Sequence, residues 1–398
     1  ETERMQQLAE LFDSNRLRYL QEDAIARLAE LQTESGGWCW FKGMGESRFM
    51  TMNVLTILQR VALAGSPTGE KEKMMQMKAI RYLDQAYTKH FKEKPKRIDY
   101  MQVLYLHTRS LFRDIPLGEA LKAHKYFMQL AQKQWAGASL YEKALLAMTF
   151  HRYGFEKEAQ TILKSLRQYA VSHPNEGMYW PNNRVVCRYS ALQIHTALLE
   201  AFETVEGYSK DIDLMKQWLL RQKQVQDWGS VPATVDAIHA LLLSGDDLTA
   251  RHEQAEVTIG SETLRTEDGE APLGYLRVSY DNPSHDMLKV EIQKHADSPT
   301  WGGLFLQSFQ ALDKISKHKT EISVDKKLYV ERPDGQLEAV VGKRPLKVGD
   351  KVIVRLVLSL ERDMDYLHVK DLRAACFEPA KQLSGNRRMA GVSFYQEV

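Results

Sequence analysis

Apolar side chains recur every three or four positions over roughly the first 250 residues, a spacing that gathers them on one face of a helix. Leu20, Ala24, Leu28 and Leu31 form one such stripe, and Met52, Leu55, Leu58 and Ala62 form another. The same period predicts helices over roughly 72–88, 98–112, 118–133, 139–152, 156–170, 189–204, 210–223 and 232–243. Between them stand turn formers: Ala64-Gly65-Ser66-Pro67, Asp114-Ile115-Pro116-Leu117-Gly118, His173-Pro174-Asn175-Glu176-Gly177 and Gly245-Asp246-Asp247. Helices separated by such short breaks are expected as successive hairpins.

After residue 255 the period becomes two. Leu288-Lys289-Val290-Glu291-Ile292 and Val352-Ile353-Val354-Arg355-Leu356-Val357-Leu358 are rich in β-branched residues and read as strands. Arg332-Pro333-Asp334-Gly335 and Lys347-Val348-Gly349-Asp350 read as turns, because Pro presets φ and Gly accepts a positive one. Helices first and strands afterwards predict separate domains rather than an α/β fold.

Within the helical part a short pattern repeats. Gly36-Gly37-Trp38-Cys39-Trp40, Gly177-Met178-Tyr179-Trp180 and Asp227-Trp228-Gly229-Ser230 each precede a helix, and Gln134-Trp135-Ala136-Gly137-Ala138-Ser139 is a weaker copy. Glycine lets the loop turn tightly, the aromatic ring closes the end of a helical layer, and Ser, Thr or Asn supplies a cap acceptor. Repeated hairpins with such loops on one side close into an α/α toroid, with an open solenoid as the structural alternative. The tryptophans read as packing residues.

Composition adds exclusions. The chain has 398 residues, 54 Lys and Arg against 52 Asp and Glu, and a formal net charge of +2, so charge offers no case for nucleic acid as a partner. At about 150 residues per domain this length suggests two or three domains. No apolar run approaches the roughly 20 residues that a spanning helix needs. Cys39, Cys187 and Cys376 lie far apart and are odd in number, which suits three buried, inert thiols better than a disulfide framework or zinc site.

Catalytic patterns do not accumulate. His-Glu-x-x-His and Cys-x-x-Cys are absent, and Gly43-Met44-Gly45 is followed by Arg48 where a dinucleotide loop needs its third glycine. The paired acids Asp211/Asp213 and Asp246/Asp247 fall at helix starts or turns and read as capping groups, and Asp363/Asp365 read as loop residues. His107, His151, His195 and His239 each sit on a helix, offering a few imidazoles to an interior, but without a positional partner none is assigned a role. The residues alone assign no catalytic, cofactor-binding or metal-binding site and imply no cofactor.

Two blocks of sequence resemble a known family. Ser35-Gly36-Gly37-Trp38-Cys39-Trp40-Phe41 with Phe49-Met50-Thr51, and Trp228-Gly229-Ser230-Val231-Pro232-Ala233-Thr234-Val235-Asp236-Ala237, resemble helix starts in the thioester domain of bacterial alpha-2-macroglobulin-like proteins. Leu346-Lys347-Val348-Gly349-Asp350-Lys351-Val352 and Val369-Lys370-Asp371-Leu372-Arg373-Ala374-Ala375-Cys376-Phe377-Glu378-Pro379 resemble the macroglobulin-type β-domain that follows it, in the version carried by Bacteroides-type bacteria. The resemblance implies an α/α-toroid thioester-type domain over 1–250, a β-rich CUB-like segment over 251–315 and a macroglobulin or receptor-binding-like β-sandwich over 316–398. It also implies a non-enzymatic part of a secreted, periplasmic or cell-surface protease trap. Proteases and other domains of a larger polypeptide would be its partners, and any membrane anchor would lie outside this chain.

The family's covalent chemistry needs a Cys-x-Glu-Gln, in which the thiol condenses with the carboxamide three residues on. Lys42, Ser190 and Pro379 occupy that position after Cys39, Cys187 and Cys376, so none of these cysteines forms the thioester. Gly391–Val398 reads as a strand that stops without a turn, which is the expectation for a piece of a longer protein. Two other functions are carried forward as alternatives. One is a toroid enzyme acting on an isoprenoid or polysaccharide. The other is a scaffold that binds peptide or glycan through Trp38, Trp180 and Trp228 on exposed loops.

Overall fold

A computed structural model describes residues 13–66, 68–91, 94–173, 176–181, 190–222, 228–243, 256–264, 277–293, 303–311, 314, 322–342, 345–360, 367–380, 384–389 and 392–396. The chain divides into two compact units, residues 1–301 and 302–398. The described residues of the first unit hold α1 (Ser14–Leu31), α2 (Arg48–Leu63), α3 (Glu70–His90), α4 (Tyr100–Leu111), α5 (Leu121–Gln134), α6 (Leu140–Arg152), α7 (Glu156–Gln168), α8 (Ala191–Glu206), α9 (Lys210–Arg221) and α10 (Val231–Leu242). These agree with the periodic runs, with small differences at the ends. A 3₁₀ turn at Gly118–Ala120 precedes α5 and another at Trp135–Gly137 follows it.

Local chemistry starts the even-numbered helices. Ser47, Asp99, Ser139, Ser190 and Ser230 are their N-caps, each side chain accepting from a backbone N–H of the first turn. In α4, α6 and α8 the third helical residue completes a capping box, with Gln102, Glu142 and Gln193 reaching back to the cap. After the Gly and Trp loops the expected Ser, Thr or Asn acceptor is serine each time, and aspartate caps α4, which follows no such loop.

The odd-numbered helices α3, α5, α7 and α9 bury one stripe. In α7 it is Ala159, Ile162, Leu163 and Leu166. In contrast, α4, α6 and α8 are buried on every side over Gln102–Ser110, Ala144–Phe150 and Ile194–Phe202. The even-numbered helices pack in succession, α2 on α4, α4 on α6, α6 on α8 and α8 on α10, while the odd-numbered ones lie beside them. One hydrophobic core runs through this array, with Leu55, Tyr105, Phe127, Phe150 and Phe202 among its fully buried members.

The first stripe expected from sequence is corrected. Leu20 and Leu31 of α1 are exposed, and no described residue of that helix is buried. The face that α1 turns to the core is a different one and carries Ile25 and Ala29, both partly buried. The stripe in α2 holds, with Met52, Leu55 and Leu58 buried.

The repeated Gly and Trp pattern acts as a lock in three of the hairpins, α1–α2, α7–α8 and α9–α10. The indole N–H of Trp38 donates to Leu28 O near the end of α1 at 2.8 Å. Trp180 does the same to Leu166 O near the end of α7 at 3.0 Å, and Trp228 to Leu219 O near the end of α9 at 2.9 Å. Leu28 O and Leu166 O also accept from the backbone N–H of Gln32 and Tyr169, so there the ring adds a second donor to a carbonyl at the helix end while its apolar body fills that end. Thr51 and Thr234, in the next helix, accept from the backbone N–H of Trp38 and Trp228. The weaker copy differs, because Trp135 is half-buried in its 3₁₀ turn.

Small sheets complete the first unit. β1 (Val171–His173) pairs antiparallel with β2 (Gly177–Tyr179). Farther on, β3 (Glu256–Ile259) lies between β4 (Glu262–Leu264) and β5 (Val290–Gln293), both antiparallel to it. The strand expected over 288–292 is shorter, because Leu288 ends a 3₁₀ turn at His285–Leu288.

In the second unit β6 (Ile322–Glu331) is the centre of a sheet ordered β7 (Leu337–Ala339), β6, β8 (Lys351–Leu360). The register pairs Ile322 with Leu360 and Glu331 with Lys351. Arg332–Gly335 is the predicted turn, closed by Gly335 N–H to Arg332 O at 2.8 Å with Gly335 at φ +81°. Lys347–Asp350 turns into β8, with Gly349 at φ +93°. β9 (Gly385–Met389) and β10 (Val392–Gln396) form an antiparallel hairpin.

Two glycines set how closely the hairpins approach. A Cβ on Gly36 would lie 2.4 Å from Lys78 O, and one on Gly177 would lie 2.1 Å from Leu214 O. Both have positive φ, as has Gly154, where a Cβ would meet open space. Gly36→Ala and Gly177→Ala are therefore expected to lower unfolding free energy by about 3 kcal/mol or more, against about 1 kcal/mol for Gly154→Ala. Urea midpoints of the three variants measure this, and equal losses would refute the close-approach account.

Candidate functional site

The even-numbered helices are mostly apolar, so charges inside them stand out. Arg60 of α2 lies between Ile57 and Leu63, Glu200 of α8 between Leu199 and Ala201, and Asp236 of α10 between Val235 and Ala237. The structure joins the three. Arg60 Nη2 donates to Glu200 Oε2 at 2.6 Å, and Arg60 Nη1 donates to Asp236 Oδ1 at 2.7 Å. Gln193 Nε2 donates to the other Asp236 oxygen at 3.1 Å. One guanidinium thus connects the first even-numbered helix to the last two, over sequence separations of 140 and 176 residues.

His107 of α4, His239 of α10 and Arg152 of α6 face the same charges, so all five even-numbered helices contribute to the cluster. Burial alone would push the Glu200 carboxyl up, but Arg60, His239, His107 and Arg152 outweigh it and hold it down at about 2. Burial opposes the charge on Arg60, yet Glu200 and Asp236 raise its pKa above the ordinary value. Burial, helped by Arg152, lowers His107 to about 3, and burial with Arg60 lowers His239. The cluster therefore holds an ionised arginine between two acids, ringed by neutral imidazoles.

This environment argues for architecture over acid–base chemistry. A carboxylate held ionised to about pH 2 has no proton to give near neutrality and is a weak base. A desolvated salt bridge is costly to break from one side, about 3–5 kcal/mol, because the remaining charge stays buried without its partner.

The other histidines are placed apart. His151 Nδ1 meets Glu156 at 2.9 Å near the surface. His195 is buried, donates from Nε2 to Met215 O at 2.9 Å, and packs against Trp180 and Trp218. His124, also buried, lies near Tyr105 and Tyr153 beside a second ion pair, Arg109 with Asp84 at 3.3 Å. Arg109 additionally donates to Phe112 O and Ile115 O, pinning the loop after α4.

The paired acids receive local explanations. Asp211 and Asp213 fall in the first turn of α9, as expected for that position, but Asp211 binds Arg167 at 2.7 Å and Asp213 accepts from the Tyr208 hydroxyl at 2.6 Å. Asp246/Asp247 and Asp363/Asp365 lie outside the described residues, as does Cys187. Cys39 is buried and Cys376 exposed. Among the described residues no group of three or more His, Cys, Asp or Glu is placed to hold a metal ion. Within that set no helix is long and apolar enough to cross a membrane.

The Trp38, Trp180 and Trp228 rings are all buried, with their N–H groups bonded to main-chain carbonyls. They present no ring face to a peptide or glycan, so binding through these three as exposed loop residues fails.

The buried histidines set a pH dependence. Burial lowers His107 to about 3 and both His124 and His195 to about 4. Unfolded, a histidine takes up its proton near pH 6.5, so on acidification the unfolded chain binds protons that the folded one refuses. Stability is full above about pH 6.5 and falls as pH drops towards 4, by about 1.5 kcal/mol per histidine between pH 6.5 and 5. His195→Gln, which retains an N–H for Met215, should remove about a third of that slope in urea melts. A pH-independent midpoint over this range would refute the assignment.

Comparison with known proteins places the C-terminal part. Residues 322–397 match the family model of the bacterial alpha-2-macroglobulin MG10 domain. No curated protein sequence matches the chain. Among solved structures it is similar to the native conformation of E. coli alpha-2-macroglobulin at 15% identity and a TM-score of 0.43, covering 88% of this chain and 20% of that one. Trypsin-activated alpha-2-macroglobulin from Escherichia coli is similar at 14% identity and a TM-score of 0.42, covering 85% of this chain and 21% of the other. The chain thus spans about a fifth of the length of these structures. Residues 322–397 are thus similar to the MG10 domain of bacterial alpha-2-macroglobulins, the family that the sequence resembles.

Proposed function

We propose that this chain is a non-catalytic segment of a bacterial protease-trapping protein that works in the periplasm or at the cell surface. The match of residues 322–397 to the MG10 domain carries the reading. In this proposal the helical part, 1–250, is an α/α toroid of the thioester-domain type. Residues 251–315 are the CUB-like segment and 316–398 the macroglobulin-type β-sandwich. Support for the toroid comes from the alternation of helices packed on all sides with helices packed on one, and from the return of Arg60 to α8 and α10.

The segment holds its place by packing and is released when a protease cuts elsewhere in the polypeptide. Such a switch needs two arrangements within a few kcal/mol of each other. Proteases and neighbouring domains of the same polypeptide are its partners, and it needs no cofactor. No thioester forms at Cys39, Cys187 or Cys376, because glutamine does not stand three residues after any of them.

Trypsin provides the test. Mixed with the full-length polypeptide that carries this chain, it should change the polypeptide's scattering profile and stay bound. The bound enzyme should remain active on a small ester and be blocked towards casein. A polypeptide that keeps its shape and retains no trypsin would sink the proposal. An SDS-resistant linkage would have to arise from residues outside this chain.

A further inference from the structure

The outward side of the odd-numbered helices α3 and α5 is basic. In α5 the exposed positions Lys122, Lys125, Gln129 and Lys133 recur at i, i+3, i+7 and i+11, opposite the buried stripe that holds Ala123, Phe127 and Ala131. In α3 the same spacing gives Lys78, Arg81, Gln85 and Lys89, again all exposed. The two helices touch. The loop after α3 lies along α5, because the Tyr126 hydroxyl donates to Pro95 O and Gln134 Nε2 donates to Lys96 O, each at 2.9 Å. That loop adds Lys94, Lys96 and Arg97, all exposed.

Acids do not balance this face. α5 contains none, and Asp84 of α3 is buried against Tyr105 and Arg109. Asp99 caps α4, Glu93 is matched in sequence by Lys92, and Glu119 precedes α5. Elsewhere exposed cations meet acids, as Lys73 meets Glu70, Lys326 meets Asp371 and Arg167 meets Glu206 and Asp211. Among the described residues, no cation of the basic face forms such a pair. The whole chain carries only +2, so the face is a local excess of charge.

We infer that this face docks on an anionic phospholipid bilayer. Lysine dominates it, and ammonium groups are point charges suited to a diffuse layer of phosphates, without arginine's planar fork for a single carboxylate. The charges stand on helix crests over about 16 Å of α5, where a bound acidic peptide would call for a groove. Each stripe begins beside an exposed apolar side chain, Met77 before Lys78 and Leu121 before Lys122, at 40% and 42%, and a bilayer interface accepts such residues. Nucleic acid fits less well. The Tyr126 ring packs on Phe91 and Phe127, and among the described residues of α3, the loop and α5 no aromatic ring is exposed for a base to stack on. The contact holds whether or not the protein traps proteases.

Its test is co-sedimentation of the 398-residue chain with vesicles of equal parts phosphatidylglycerol and phosphatidylcholine. The chain should pellet with them at about 0.05 M salt, stay in solution at about 0.5 M, and ignore pure phosphatidylcholine. Lys125→Gln with Lys133→Gln should weaken the partition about tenfold or more at an unchanged melting temperature. Lys289→Gln with Lys327→Gln removes as much charge, but from cations that already face Glu291 and Asp325, and should leave the partition nearly unchanged. No pelleting with the anionic vesicles at low salt would overturn the inference, as would equal loss in the two double variants. If polyglutamate or duplex DNA binds through Lys125 and Lys133 where the vesicles do not, the face belongs to an acidic polypeptide or a nucleic acid and the inference falls.

Discussion

A guanidinium removed from water must find carboxylates, and Arg60 finds two. Its bonds to Glu200 and Asp236 decide which helices of the first unit lie together, because the apolar contacts around them would accept many registers. Hydrophobic burial is non-directional and supplies most of the stabilisation. The hydrogen bonds of one arginine are directional and supply the alignment. The neutral state of His107 and the low pKa of Glu200 follow from this arrangement, since both answer to the same desolvated charges.

Local features of the fold are legible in the sequence. Periodic apolar spacing finds the helices from α2 to α10 nearly to their ends, and Gly and Trp loops mark where the α1–α2, α7–α8 and α9–α10 hairpins close. The turns at Gly335 and Gly349 and strand β8 are equally plain. Length and composition alone suggested only two or three domains. Features that depend on what lies across space are not legible. The stripe in α1 has a helical period, but the core meets that helix through Ile25 and Ala29 instead. Leu288 has strand neighbours in sequence but a 3₁₀ turn in space.

The charge cluster is a sharper case. Histidines drew attention by type, yet the residues that organise the site are an arginine and two acids, each a single charge inside an apolar run. That signal is present in Leu198-Leu199-Glu200-Ala201 and Val235-Asp236-Ala237, but pairing Arg60 with partners 140 and 176 residues away requires the fold. Trp38, Trp180 and Trp228 are packing residues, buried in the core. Their shared indole bond to the end of the preceding odd-numbered helix in the array is a geometric fact that no spacing announces. Comparison adds a similarity of residues 322–397 to the MG10 domain, over the stretch where the period of two predicts strands.

The Trp locks and the Arg60 clasp differ in how much chain must exist before they form. Trp38, Trp180 and Trp228 reach back 10, 14 and 9 residues, so each lock can close soon after its own hairpin leaves the ribosome. Arg60 must wait for Glu200 and then Asp236. Until those residues are made, Arg60 has neither of the carboxylates that it pairs with in the folded unit. The order of translation thus assigns alignment to α8 and α10, after the local structure of the earlier hairpins that they align can already be in place.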